Sequence, residues 1–297
     1  MDHRAFIRTL SAEQRRSLTL KSNARGLLAL ALHWGAIIAV GCLIAWRVPF
    51  WPLLLPIQGV LIVFLFTLLH ETVHRTAFAS QWINGWVARI CGLAILLPSE
   101  WFRYFHFAHH RHTQDPENDP ELADPKPETV AQYVFHISGI PVWRSQIKTL
   151  FRLAFDGGND SFTPPSGRLK VRREARAMLG FYVALAIVSI YAGSTLPVYV
   201  WIVPVLLGQP FLRLYLLAEH GRCPFVANML ENSRTTFTNI VVRQLAWNMP
   251  YHSEHHSYPV VPFYKLPELH RLVRDHLRTT ERGYRRFHKA YIGDLTR

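Results

Sequence analysis

The chain has 297 residues, of which 49% are hydrophobic, 13% aromatic and 18% charged, with a formal net charge of +13. So much apolar material excludes disorder, and three scattered cysteines (Cys42, Cys91, Cys223), none in a C-x-x-C pair, exclude a disulfide scaffold. The positive charge is not interleaved with a nucleic-acid module, so nucleic acid is not an expected partner; it fits a membrane protein with a basic cytoplasmic face.

Residues 1–25 are polar and basic, with Arg4, Arg8, Arg15, Arg16, Lys21 and Arg25. Leu27 to Trp46 carries no charge. It is too long for a signal-peptide core and reads as a retained transmembrane helix. Arg47-Val48-Pro49-Phe50-Trp51-Pro52 reads as a turn with an interfacial Trp. A second span opens at Leu53, with Gln58 its only strongly polar residue before His70, and the helical pattern continues through His74. Trp86 to Leu97 is apolar but short, and is expected as an interfacial or re-entrant helix. Residues 98–175 are polar, with a Pro-rich acidic stretch from Asp115 to Pro127. Met178 to Ala192 and Leu196 to Ala218 form a second apolar pair joined by Gly193-Ser194-Thr195, and the chain is polar again from Glu219.

The expected architecture is therefore an all-α membrane protein, one domain over 1–297. Its four transmembrane helices lie at about 27–46, 53–74, 178–193 and 196–218, with a short interfacial helix and a cytoplasmic helical cap (75–177 and 219–297) holding a histidine-rich di-metal site. Of the 33 Lys and Arg, only Arg47 falls on the outer side. The positive-inside rule then makes this a multi-pass protein with both termini cytoplasmic, as in a bacterial inner membrane or the endoplasmic reticulum.

Nine of the 16 histidines fall into four groups on that cytoplasmic side. They are His70-Glu71-Thr72-Val73-His74, the pentads His106-Phe107-Ala108-His109-His110 and His252-Ser253-Glu254-His255-His256, and His220 alone after the fourth span. An i, i+4 pair puts both rings on one helix face. A lone histidine is usually structural, and one H-x-x-H-H is compatible with chance or a proton shuttle. Two such pentads plus H-x-x-x-H on one membrane face point to a metal site. Neutral imidazole suits Zn, Cu, Fe and Ni, and nine are too many for one ion, so the count implies two. The Glu-x-x-His pattern of soluble di-iron bundles is absent. Glu71, Glu219 and Glu254 each stand beside a candidate ligand and are expected to orient ligand N–H groups.

His70 to His74, His106 to Asp119 and Asn248 to Pro267, joined by Ala218-Glu219-His220-Gly221, resemble the three histidine boxes of the membrane fatty acid desaturase family. The resemblance runs over roughly residues 25–275. That superfamily also holds lipid hydroxylases and carotenoid hydroxylases and ketolases. The resemblance implies a non-haem centre of two iron ions (Fe2+/Fe3+) with O2 as co-substrate, acting on a lipid or fatty acyl chain. It implies His70, His74, His106, His109, His110, His220, His252, His255 and His256 as metal ligands and, through the metals, as the catalytic residues. Desaturation is favoured over hydroxylation by analogy. With no C-x₂-C cluster motif, electrons are expected from an external ferredoxin- or cytochrome-type donor with its reductase.

Other residues carry weaker expectations. Asn248 lies four before His252 and is either a water-mediated ligand or a helix-end hydrogen bond. His112 is expected beside the site or at the surface, and Arg103 and Asp119 as structural ion-pair partners. His136, His270, His276 and His288 read as surface residues, and His33 as a hydrogen bond to a neighbouring helix. Two other classes compete. A transporter would need ionisable residues at mid-membrane, where only His33 occurs. A zinc hydrolase would use His70-Glu71-Thr72-Val73-His74 as H-E-x-x-H, which leaves both pentads unexplained.

Overall fold

A computed structural model describes residues 1–296. Two short helices, α1 (His3–Thr9) and α2 (Ala12–Thr19), lead in. A capping box starts α2: the Ser11 hydroxyl accepts from the Gln14 N–H, and the Gln14 side chain accepts from the Ser11 N–H. Next comes α3 (Asn23–Ala45), capped by Ser22 and apolar beyond Arg25. The chain reverses through Arg47 and Phe50, both with left-handed backbone. The returning span, Trp51–Val73, has 23 residues. At 1.5 Å per residue it rises about 34 Å, enough to cross a hydrocarbon core of about 30 Å. It is two helices, α4 (Leu54–Val63) and α5 (Leu65–Val73), broken at Phe64. The Thr67 hydroxyl donates to the Phe64 carbonyl at 2.8 Å, so a group freed at the break is satisfied inside the bilayer.

The expected helix at 86–97 is placed differently. It starts earlier, as α6 (Gln81–Ala94), and turns by 100° into α7 (Ser99–His112), which carries the second box. Gly92 permits the turn: a Cβ there would meet the Leu97 carbonyl oxygen at 2.3 Å. Beyond α8 (Val130–Ile137) and α9 (Ile140–Asp156) lies α10 (Pro165–Tyr191). It is longer than the expected span because its first half packs Val171, Ala175 and Met178 on Leu150, Leu153 and Ala154 of α9. One π-helical turn, Val198–Ile202, leads into α11 (Val203–His220). The α4–α11 crossing is a backbone contact, since a Cβ on Gly59 would stand 2.0 Å from the Pro204 carbonyl oxygen. Small residues allow such approach where lipid offers no hydrophobic drive.

The remainder is a cap: α12 (Met229–Asn232), β1 (Thr235–Thr236), α13 (Ile240–Leu245), α14 (His252–Ser257), α15 (Leu266–Val273), β2 (Thr280–Glu281) and α16 (Tyr284–Leu295). β1 and β2 pair in parallel, Thr235 with Thr280 and Thr236 with Glu281. One core joins cap to membrane helices, from Leu18, Leu68 and Leu69 to Trp247, Met249 and Leu266. The chain is thus an all-α membrane protein with four helices long and apolar enough to cross a bilayer, or five spans if the bent α6–α7 pair counts as one.

His33 is buried as expected. Its Nε2 lies 2.8 Å from the Leu61 carbonyl, and its Nδ1 accepts from Trp247 Nε1. The surface reading fails for two other histidines. His288 is buried, with Nε2 on the Leu214 carbonyl and Nδ1 on the Tyr133 hydroxyl. His270 packs inward with Nδ1 2.5 Å from Glu254 Oε1.

Candidate metal centre

Helix ends bring the nine histidines together. His70 and His74 close α5, His106, His109 and His110 lie in the last two turns of α7, His220 ends α11, and α14 carries His252, His255 and His256. Left-handed residues redirect the chain beside these segments: Arg75 after His74, Gln114 after α7, Arg222 after His220, and Trp247 and Asn248 before α14. Such backbone is costly for non-glycine residues and persists where the surroundings over-determine it. All the rings but His74 and His110 are buried.

They form two groups. His70, His74, His106, His110 and His255 each offer a ligand atom within 4.8 Å of the others, and so do His109, His220 and His256. His252 adjoins the second group, its Nε2 2.9 Å from His220 Nε2. Other Nε2 pairs are as close: His74 to His106 at 2.8 Å, His109 to His220 at 3.2 Å and His110 to His255 at 3.2 Å. Converging imidazole nitrogens repel unless a proton or a cation lies between them. His70 Nε2 and His256 Nε2 are buried with no hydrogen-bond partner. Burial, reinforced by neighbouring imidazoles, pushes His252, His255 and His256 well below the usual imidazole range, so these rings are neutral and ligand-competent. This donor set fits nitrogen-preferring metal ions.

The groups differ in how their rings are held. In the second, each Nδ1 faces an acceptor: His109 that of Asp119 at 2.9 Å, His220 the Asn232 carbonyl at 3.0 Å, and His256 the Thr113 hydroxyl at 3.2 Å. His252, beside this group, differs: its Nδ1 lies 3.3 Å from Glu219 Oε1 but makes no hydrogen bond. Asp119 is itself fixed by the N–H groups of Gln114 and Glu121. An acceptor at Nδ1 fixes the tautomer and turns the Nε2 lone pair inward. In the first group, Nδ1 of His110 and of His255 is buried without a partner. Ring packing orients that group instead, with His70 edge-on to His106 and to His255.

The weaker candidates are placed as follows. Glu71 accepts from the Phe263 N–H through Oε1, which ties it to the cap, while its Oε2 is buried with no hydrogen-bond partner. Glu254 accepts from the Thr235 hydroxyl and meets His270. Asn248 stands outside any helix, so the register that aligned it with His252 is absent, and its amide donates to the Phe263 carbonyl at 3.1 Å. His112 is half-exposed, 3.8 Å from Asp115. Arg103 pairs with Glu100, not with Asp119. Sequence reasoning missed the orienting roles of Asp119, Thr113 and Asn232, and also Glu121, whose Oε2 lies 3.3 Å from His109 Nε2. The dense polar run after the second box was the available signal for Asp119 and Glu121; a backbone carbonyl such as that of Asn232 leaves none.

A family model described as fatty acid desaturase matches residues 48–288. The chain is 28% identical over 147 residues to an sn-1 oleoyl-lipid 12-desaturase of Picosynechococcus sp., an overlap of 46% of this chain and 41% of that protein. It is 27% identical over 248 residues to a fatty acid conjugase of Calendula officinalis, covering 73% and 66% of the two. It is 28% identical over 245 residues to a chloroplastic omega-3 fatty acid desaturase of Glycine max, covering 73% and 53%. The chain therefore spans from about two fifths to about two thirds of the length of these relatives.

Proposed function

The chain belongs to the fatty acid desaturase family, and from that premise we propose that it is a membrane oxidoreductase that desaturates a lipid-borne acyl chain with O2 at a histidine-bound di-iron centre. The observation that carries the reading is the convergence of nine imidazoles into two adjoining groups at the end of the membrane helices. The desaturase and conjugase names of the relatives support an acyl substrate. The balance is R–CH2–CH2–R′ + O2 + 2 e⁻ + 2 H⁺ → R–CH=CH–R′ + 2 H2O.

One ion would be held by His70, His74, His106, His110 and His255, the other by His109, His220 and His256 with His252 beside them. Bound iron supplies the oxidising power toward an unactivated C–H bond that no side chain possesses. The protein's own residues hold the ligands. Asp119, Thr113 and the Asn232 carbonyl keep three rings turned inward, and the partly buried Phe66 and buried Phe102 pack beside His70 and His106 and limit the entry of water. A hydrolase built on H-E-x-x-H alone would leave the second group of His109, His220 and His256 without a role.

Electrons would come from a separate ferredoxin- or cytochrome-type protein. The exposed Arg271, Arg274, Arg278, Arg282, Arg285 and Arg286 offer an acidic partner a basic face. The test is expression with a compatible donor and reductase, followed by mass analysis of the host's acyl lipids. An O2-dependent loss of two mass units per product is expected. A gain of sixteen would make the enzyme a hydroxylase, and no O2-dependent change in iron-loaded, reducible protein would refute lipid oxidation.

A further inference from the structure

Two cavities on the outer flank of the bundle share one wall. The first, of about 630 Å³, lies where α6, the start of α7 and α10 meet, and its rim carries Arg89, Lys170, Arg173, Glu100 and Glu174. The second, of about 500 Å³, continues between α3, α4 and α10 and is almost wholly apolar apart from Gln58. Ile90, Leu93 and Phe181 line both, so the two form one groove with a charged mouth and an apolar floor.

The rim is not charge-neutral in effect. Glu174 is committed to the Ser99 hydroxyl and the Glu100 N–H, and Glu100 to Arg89 and Arg103. Among the described residues, Lys170 and Arg173 have no carboxylate within ion-pair reach, and both side chains are exposed. The floor follows directly. Beyond Arg176, α10 has no further charge, and it supplies Ala177, Met178, Phe181 and Leu185 to the groove. From Arg173 to Leu185 the helix rises about 18 Å, close to one leaflet's share of a hydrocarbon core of about 30 Å. A ligand matching this shape has an anionic head at the bilayer boundary and a hydrocarbon chain of one leaflet's length.

We propose that this groove seats one anionic glycerolipid, its phosphate at Lys170 and Arg173 and one acyl chain along Ile90, Leu93 and Phe181. The site stands apart from the histidines and does not depend on the reaction proposed for them. Two cations near a membrane surface favour an anionic lipid by about 1 kcal/mol each, so a preference of about tenfold or more over a zwitterionic lipid is expected.

The test is native mass spectrometry of the full chain released from nanodiscs of phosphatidylglycerol and phosphatidylcholine with identical acyl chains. The wild type should retain one phosphatidylglycerol with about tenfold preference. K170Q/R173Q should lose most of that preference, with K170Q intermediate; both positions are exposed, so the fold is spared. Leu93→Trp, which fills the shared wall, should lower retention of either lipid. Glycerol phosphate at the same concentration should not displace the lipid. Unchanged preference in K170Q/R173Q, equal retention of phosphatidylcholine by the wild type, undiminished retention in Leu93→Trp, or full displacement by glycerol phosphate would each overturn the proposal.

Discussion

Asp119 illustrates how far single residues decide the centre. It is buried, fixed by two backbone N–H groups and bonded to His109 Nδ1. Asp119→Asn keeps the shape but removes the charge that favours the His109 N–H, and metal affinity measured by chelator competition should fall about 10- to 100-fold. His109→Ala and His255→Ala should lose metal and lipid oxidation while remaining membrane-inserted, because the ligands come from four separate helices. His112→Ala, half-exposed beside Asp115, should retain its metal; loss of metal there would place the second box wrongly. Acid should weaken the metal-free fold. His252, His255 and His256 stay neutral when folded, whereas the unfolded chain takes up protons near pH 6.5. Unfolding therefore gains protons below that pH, and each such group costs up to about 1.4 kcal/mol per pH unit. The contribution of these three rings to the stability of metal-free protein, read from melting temperatures followed by tryptophan fluorescence, should be constant above pH 7 and fall between pH 6.5 and 5. The candidate ligands were legible because histidine spacing is a side-chain pattern. Their orienting partners were not: His220 is held by a carbonyl twelve residues away, and His256 by a hydroxyl 143 residues away.

Among the elements, the glycines mark contacts that hydropathy does not reveal. Gly59 and Gly208 bring α4 and α11 to backbone contact. Gly59→Leu would need the helices to separate and should lower thermal stability by more than a core overpacking change, which costs about 1–3 kcal/mol. Gly35→Leu, on α3 with open space around it, should leave stability within about 0.5 kcal/mol of wild type and the melting point close to unchanged. Equal melting points for both variants would remove the close crossing. The four apolar helices were legible from run length alone. The 100° turn between α6 and α7 was not, because it depends on Gly92 meeting the Leu97 carbonyl, a contact with no period. The length of α10 was missed for a similar reason: its polar first half is helical because α9 covers it, and hydropathy sees only the second half.

At the scale of the molecule, one core binds the cap to the span that delivers His70 and His74, which places the centre where membrane and polar protein meet. The proposed acyl substrate would reach such a centre from lipid, and the proposed reductant from water. Both termini are expected on the histidine side, from the 32-to-1 division of basic residues. Cysteines placed at Phe50 and Thr195 should react with a membrane-impermeant reagent from the outer face only; labelling from the cytoplasmic face would invert the topology. Substrate and regiochemistry were beyond the sequence because they depend on cavity shape built by helices distant along the chain. The most direct measurement of the central claim is elemental analysis of the purified full chain with metal-restricted controls. Close to two irons per chain, falling in both His109→Ala and His255→Ala, is the expected result; a single zinc, or iron unaffected by either substitution, would contradict it.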